Sequence, residues 1–116
     1  MDAEISPEAV EELCETGNPP RIVDIRRPAA FRRGHIPDSQ NIPFNRLPNE
    51  IETLTDADHI VTVCPHGQSS VQAARLINSY EGTQHARVES MHGGLTEWDG
   101  DLEAESVPED GPESPF

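Results

Sequence analysis

The stretch that decides the fold is Ile60-Val61-Thr62-Val63-Cys64-Pro65-His66-Gly67-Gln68-Ser69-Ser70. Its first four residues are apolar or β-branched and predict a short buried strand that ends at Cys64. A loop containing Gly67 follows, and apolar residues between Val71 and Ile77 then recur at helical spacing. A strand, a short loop and a helix in this order direct backbone N–H groups and a helix N-terminus at one point. A cysteine held there is stabilised as a thiolate, the nucleophilic form.

The alternative for Cys64 is a buried cysteine that closes a core strand, because free cysteines are among the most buried residues. That interpretation suits Cys14, which shares one face of a predicted helix with Val10 and Leu13. Cys14 is therefore interpreted as a small core-facing residue. For Cys64 the spacing alone leaves both the nucleophile and the core residue open.

Predicted helices and strands alternate along the whole chain. Ser6 and Pro7 form a typical helix start, and Gly17 and Gly34 are typical helix ends. The predicted elements are a helix over 6–17, a strand over 21–25, a helix over 28–33, a residue of a small strand at Ile42, a helix over 44–54, strands over 59–63 and 86–91, and helices over 69–80 and 95–98. This alternation predicts an α/β sandwich around a largely parallel sheet flanked by helices.

The charge is strongly one-sided. The 116 residues include 22 Asp and Glu against eight basic residues, all of them Arg, which gives a net charge of −14. We therefore expect no binding to nucleic acid or to an anionic membrane. A composition with many carboxylates and no Lys resembles that of halophilic proteins, which occur in salt-rich cytoplasms. Two free thiols and an acidic start at Met1–Glu4 without an apolar segment favour a cytoplasmic location.

The last 18 residues differ in composition from the rest. Residues 99–116 contain seven acidic residues, three Pro and no basic residue. Such a segment buries too little apolar surface to offset the entropy of ordering. The sequence therefore predicts one domain over 1–98 and an acidic, disordered tail over 99–116.

Metal ligands are not arranged in pairs along this chain. Neither cysteine has a second cysteine at metal-binding spacing, and the histidines are scattered at positions 35, 59, 66, 85 and 92. We predict no metal site and no cofactor.

Several pieces of the chain together resemble a rhodanese domain. In chain order they are Ile22–Arg26, Phe31–Pro37, Asn41–Pro43, Cys64–Gly67, Ala73–Ala74, Gly93–Leu95 and Trp98. They occur in the order and with the gaps of that family over about residues 5–98. Each piece is a weak signal, but the set is specific.

The resemblance implies a rhodanese-like three-layer sandwich with Cys64 as the catalytic cysteine. In that family the cysteine takes a sulfane sulfur from a small-molecule or protein donor, becomes a persulfide and passes the sulfur to a thiol or cyanide-like acceptor. The substrate-binding loop is then formed by Pro65, His66, Gly67, Gln68 and Ser69, whose backbone N–H groups, Pro65 excepted, stabilise the charged sulfur.

Three further residues match the family pattern at positions that imply structural support. Asp24 and Arg26 match its Asp-x-Arg after the first long strand, and His35 lies in its Gly-His-Ile-Pro segment. We expect these side chains to hold neighbouring loops by hydrogen bonds. We further expect a monomer or weak dimer.

The loop departs from the family pattern at one position. Many members that cleave thiosulfate have Arg at the fifth position after the cysteine, where this chain has Ser69. The loss of a fixed cation is expected to weaken binding of the dianion. His66 either substitutes in part for that cation or is a solvent-facing loop residue, and the sequence leaves both open. Phosphatases of the same fold have a longer loop and Arg at the sixth position, which is Ser70 here, so that activity is excluded. The remaining alternative is a non-catalytic module that binds a persulfide or a partner.

Overall fold

A computed structural model of the chain describes residues 3–17 and 19–104. The strands are β1 (Glu4–Ile5), β2 (Arg21–Asp24), β3 (Gln40–Asn41), β4 (His59–Val63) and β5 (Arg87–Met91). The helices are α1 (Pro7–Glu15), α2 (Pro28–Arg33), α3 (Leu47–Glu50) and α4 (Ser69–Ser79). Short 3₁₀ turns lie at Phe44–Arg46, Ile51–Leu54, Glu81–Thr83 and Gly94–Glu97.

Most elements lie where the sequence predicts them, and two differ. The helix predicted over 44–54 is a one-turn α3 between two 3₁₀ turns. Pro48 lies in the first turn of α3, and because a proline is tolerated only there, the helix cannot begin earlier. The small strand predicted at Ile42 is formed by Gln40–Asn41 instead.

The described strands form one five-stranded sheet in the order β1-β5-β4-β2-β3. Each neighbouring pair is parallel. The predicted α/β class with a parallel sheet is thus confirmed, while the two-residue edge strand β1 was not predicted. Strand β4 lies in the middle of the sheet, so Cys64 follows the carboxyl end of its central strand. Ligand sites of open parallel sheets lie at that end.

Two clusters of buried side chains cover the two faces of the sheet. Ile60 and Val61 are neighbours on β4 and belong to different clusters, as expected for side chains that alternate between faces. The first cluster joins the sheet to α3 and α4 through residues such as Leu47 and Ile77. The second joins it to α1 through Val10. Helices therefore pack on both faces, as the three-layer prediction requires.

The chain stays in contact with the domain beyond residue 98. Glu103 and His35 exchange two backbone hydrogen bonds of 2.8 and 2.9 Å, and the indole N–H of Trp98 donates to the carbonyl of Asp101. The first residues of the predicted tail, up to Ala104, thus pass along the domain, and residues 105–116 lie outside the described part. Within that part, no helix is long and apolar enough to cross a membrane.

Candidate active site

Cys64 lies at the centre of a loop that surrounds its sulfur with hydrogen-bond donors. The residue is 3% exposed. Its Sγ accepts hydrogen bonds from the backbone N–H groups of Gly67 at 3.1 Å and of Ser70 at 3.3 Å. Both donors lie on the segment that leads into the first turn of α4. This arrangement is suited to stabilising negative charge on sulfur.

Two opposing effects set the charge state of Cys64. Burial raises the pKa of its thiol, because a thiolate is poorly solvated inside the protein. Hydrogen bonds from the Ser70 hydroxyl and from the N–H groups of Ser70, Gly67 and His66 lower it and outweigh burial. The pKa of Cys64 therefore lies below that of an ordinary cysteine. The nucleophilic thiolate forms at correspondingly lower pH.

A pair of buried hydroxyl groups extends from the sulfur into the sheet. The Oγ of Ser70 lies 3.3 Å from Sγ of Cys64 and 2.6 Å from Oγ of Ser90 on β5. When Cys64 is a thiol, its S–H donates to Ser70, whose hydroxyl donates to Ser90. When Cys64 is a thiolate, the Ser70 hydroxyl donates to sulfur and accepts from Ser90. Because hydroxyl groups both donate and accept, this pair satisfies either protonation state.

The turn after β5 supports the backbone of the Cys64 loop by hydrogen bonds and by close contact. Leu95 N–H donates to the carbonyl of Cys64 at 2.9 Å, and Thr96 N–H donates to the carbonyl of Pro65 at 3.1 Å. Gly94 has a φ of +66°, and a Cβ built on it lies 2.3 Å from the Cys64 carbonyl oxygen. No side chain fits in that space. The close approach of this turn therefore fixes where Cys64 lies.

A cavity of about 550 Å³ opens at Cys64. Arg26, Arg27, Phe44 and Ser69 are among the residues that line it. A cleft of this size admits a small-molecule donor or the end of a partner's side chain. The sulfur thus lies where a small substrate can reach it.

The predicted loop residues divide into two groups. Pro65 and Ser69 line the cavity beside the cysteine, whereas the described lining residues do not include His66, Gly67 or Gln68. His66 and Gln68 are exposed and Gly67 is buried. His66 and Gly67 act on the cysteine through their backbone N–H groups.

The sequence profile described as Rhodanese-like domain matches residues 6–101. The chain belongs to this family.

Relatives and solved structures of similar form agree with this assignment. A thiosulfate sulfurtransferase (GlpE) from Pseudomonas syringae is 35% identical over 94 residues, which cover 81% of this chain and 84% of the relative. A protein of the same name from Stutzerimonas stutzeri is 39% identical over 79 residues, covering 66% and 68%. The crystal structure of a rhodanese-like domain protein from Staphylococcus aureus superposes with a TM-score of 0.76 at 22% identity, covering 90% of this chain and 99% of that one. The relatives belong to a sulfurtransferase family, and the solved structure shows the shared fold.

In this rhodanese-like domain, Asp24 and Arg26 clamp the turn after β2. The buried carboxylate of Asp24 accepts three side-chain hydrogen bonds from Arg26, the shortest of 2.7 Å, and also accepts the Arg26 backbone N–H at 3.0 Å. Arg26 further donates to the carbonyl of Gly34 at 2.6 Å. Asn41 on β3 donates to the carbonyls of Asp24 and Arg26. The turn that borders the cavity is thereby tied to α2 and β3.

His35 follows the end of α2 and is not among the described residues that line the cavity at Cys64. Its ring stacks on Phe31 with centroids 3.8 Å apart, and its Nδ1 lies 2.7 Å from the Phe31 carbonyl oxygen. Together with the backbone pairing to Glu103, these contacts anchor the end of α2.

The two cysteines differ in reactivity. Cys14 is half-buried against the second core cluster and lies away from the Cys64 cavity. Burial raises the pKa of its thiol, and the carboxylates of Asp38, Glu11 and Glu15 raise it further. Among the described residues, no group of three or more His, Cys, Asp or Glu is placed to hold a metal ion.

Four residues that shape the site were missed as site residues in the sequence. Gly94 carries a signal, since it belongs to a Gly-Gly pair after a predicted strand. Arg27 carries a weaker one, since it lies next to the Asp-x-Arg segment, and only the pairing of β2 with β4 in the structure shows that the two strands end at the same edge. Ser70 and Ser90 lie 20 residues apart, and nothing in the sequence pairs their hydroxyl groups.

Ser70→Ala is expected to raise the pKa of Cys64, because it removes the hydroxyl that donates to the thiolate. The rate of alkylation of Cys64 by iodoacetamide rises with pH as the thiol ionises, so the variant's curve shifts to higher pH. The free energy of unfolding should fall by about 1–3 kcal/mol, since the Ser90 hydroxyl loses its partner. Alkylation is measured in a Cys14→Ser background, so that only Cys64 reacts.

Ser79→Ala is the matched control for this experiment. Ser79 lies at the end of the same helix and is exposed, and within the described part of the chain its hydroxyl donates to the Leu76 carbonyl alone. It should leave the alkylation curve unchanged. A Ser70→Ala curve that coincides with the control would show that the hydroxyl does not stabilise the thiolate.

Proposed function

We propose that this chain is a sulfurtransferase that carries sulfane sulfur as a persulfide on Cys64. The observation that carries the proposal is the sulfur of Cys64 itself. It lies at the end of the central strand, accepts N–H hydrogen bonds, has a lowered pKa and adjoins a cavity. The relatives named thiosulfate sulfurtransferase support the same reaction.

In the first half-reaction the Cys64 thiolate attacks the outer sulfur of a donor such as thiosulfate. A bond forms between Sγ and the outer sulfur, while the bond between that sulfur and the sulfonate sulfur breaks. Sulfite leaves with the bonding electron pair as a dianion. The product on the protein is the monoanionic Cys64 persulfide, so charge balances and no proton is required.

In the second half-reaction an acceptor nucleophile attacks the terminal sulfur of the persulfide. Cyanide gives thiocyanate, and a thiolate gives a new persulfide. The Sγ–S bond breaks and its electron pair returns to Sγ, which restores the Cys64 thiolate. No external oxidant or reductant is needed in either step.

The loop's contribution is electrostatic. The N–H groups that lower the pKa of Cys64 in the free protein are those of Ser70, Gly67 and His66, and the same segment also carries the N–H groups of Gln68 and Ser69. These groups and the N-terminus of α4 stabilise the negative terminal sulfur without a metal. We assign Asp24, Arg26 and His35 a supporting role, because their bonds fix the elements that border the cavity.

We place the reaction in a reducing, salt-rich cytoplasm. Cys14 and Cys64 are both free thiols, and Cys64 acts only while it is reduced. The net charge of −14 without a single Lys is the composition that favours a salt-rich medium.

A turnover assay tests the proposal. With thiosulfate and cyanide in large excess over protein, we expect many molecules of thiocyanate to form per molecule of protein. The reason is that the second half-reaction regenerates the thiolate. A non-catalytic binding module would take up at most one sulfur atom per chain and release none. If the protein takes up sulfur but does not turn over with either cyanide or a thiol as acceptor, the proposed enzymatic activity is contradicted. The non-catalytic binding module is then favoured.

A further inference from the structure

The residues that line the cavity at Cys64 differ in charge from the chain as a whole. The chain has a net charge of −14, yet two of its eight Arg residues, Arg26 and Arg27, line this cavity. No carboxylate is among the described residues that line it. A local excess of positive charge next to a nucleophilic sulfur indicates that the substrate is an anion.

The two arginines are not equivalent. The side chain of Arg26 is 16% exposed, and its guanidinium is paired with the Asp24 carboxylate and donates to the Gly34 carbonyl. Its charge is therefore neutralised within the protein. Arg27 is exposed, and no carboxylate in the described part of the chain lies within salt-bridge distance of it. Its charge is available to a ligand.

The fold holds Arg27 beside the reactive loop. Strands β2 and β4 are parallel neighbours, with Asp24 paired to Val63, so the segments after both strands leave the same edge of the sheet. Arg27 lies three residues beyond β2, and its carbonyl accepts the N–H of Phe31 in the first turn of α2. Arg27 is one of the residues that line the same cavity as Cys64 and Ser69.

We propose that Arg27 binds the anionic end of the sulfur donor and supplies the fixed cation that Ser69 does not provide. This inference rests on the proposed function. The donor class it selects carries a sulfonate-like group next to the transferred sulfur, as thiosulfate does. The guanidinium pairs with the sulfonate oxygens, and the outer sulfur then points toward Sγ of Cys64. Arg27 is thus a positioning and specificity-determining residue.

A fixed cation matters more in this chain than in a neutral one. A net charge of −14 repels a dianion at distances up to the screening length, which is about 10 Å at 0.1 M salt. A cation within the cavity offsets that repulsion where the donor binds. The contribution of Arg27 should therefore be largest at low salt and fall as salt rises.

Arg27→Gln tests the proposal. It should lower kcat/KM for thiosulfate by about ten- to a hundredfold, mainly through KM, because a charge-assisted contact to the bound dianion is lost. The loss should be smaller with methanethiosulfonate, a monoanion in which a methyl group replaces one oxygen. Arg27→Lys should retain part of the efficiency, and Ser69→Arg added to Arg27→Gln should restore most of it.

Arg32→Gln is the matched control. It removes the same charge from α2, the helix that begins directly after Arg27, but Arg32 is not among the residues that line the cavity. Equal losses in the Arg27→Gln and Arg32→Gln variants would overturn the inference, because only the net charge would then matter. So would an unchanged KM for thiosulfate in Arg27→Gln, or equal losses with both donors. If Arg27→Gln fails to fold, the KM of Arg27→Lys for thiosulfate, measured at low and at high salt, tests the same contact.

Failure of this inference and failure of the proposed function give different results. If the wild-type protein gains sulfur from thiosulfate and Arg27→Gln has the same KM for thiosulfate, only the role proposed for Arg27 is contradicted. A wild-type protein that gains sulfur from neither donor contradicts the sulfurtransferase and the role of Arg27 together.

Discussion

Cys64→Ser is expected to lose all sulfur loading and all turnover. A serine hydroxyl keeps the hydrogen-bonding neighbours of Sγ, but it does not ionise near neutral pH and forms no persulfide. Incubation of the wild type with thiosulfate, followed by intact-protein mass spectrometry, should show one added sulfur atom that a reducing thiol removes. The variant should show none. Thermal unfolding of the variant should remain cooperative, since serine is close to cysteine in size.

Cys14→Ser is the internal control for this experiment. Cys14 has a raised pKa and lies outside the Cys64 cavity, so the variant should load one sulfur atom at an unchanged rate. Added sulfur on Cys14, or loading that survives in Cys64→Ser, would show that the proposed carrier is wrong.

The position of Cys64 was predictable because its signals are local. A β-branched run, a cysteine, a loop with one glycine and a helical pattern follow each other within 60–77, and each part is governed by its own residues. Once such a strand is central in a parallel sheet, its carboxyl end becomes the site. Both statements require only short-range pattern and a general rule of α/β topology.

The contacts that tune Cys64 were not predictable in the same way. The Ser70–Ser90 hydroxyl pair depends on β5 lying beside β4, and the loop's support depends on Gly94 approaching a carbonyl 30 residues earlier. Neither distance is encoded in a repeating pattern. The same holds for the pairing of Glu103 with His35, which the acidic composition after residue 98 does not indicate. Long-range contacts of single residues decide these features.

Arg27 illustrates the intermediate case. The sequence shows a missing cation at Ser69 and an arginine next to the Asp-x-Arg segment, but it does not show that the two positions share a cavity. Sheet order supplies that step, because β2 lies between β3 and β4 and not at an edge. The sheet thereby places Arg27 at the cavity that adjoins Cys64.

Gly94→Ala should have the second-largest effect of the substitutions considered. A Cβ at this position lies 2.3 Å from the Cys64 carbonyl oxygen and 2.6 Å from the Gly67 nitrogen, and all the atoms nearest to it are backbone. The turn or the loop must move, at about 1–3 kcal/mol, in addition to about 1–2 kcal/mol for a left-handed alanine. The thermal midpoint should fall by roughly 10 °C or more. Persulfide formation should also slow sharply, because the N–H groups of the loop are displaced from Sγ.

Gly17→Ala separates the steric clash from the backbone conformation. Gly17 also has a positive φ, +81°, but a Cβ built there meets nothing within 4 Å. Its substitution should therefore lower stability by about 1–2 kcal/mol and leave sulfur loading unchanged. The difference in stability between the two variants measures the cost of the steric clash between position 94 and the Cys64 loop, because the cost of the left-handed backbone is common to both. Equal loss of stability in both, with normal loading by Gly94→Ala, would show that the turn yields without disturbing Cys64. In that case the contact between the Gly94 turn and the Cys64 loop would not determine the position of the sulfur.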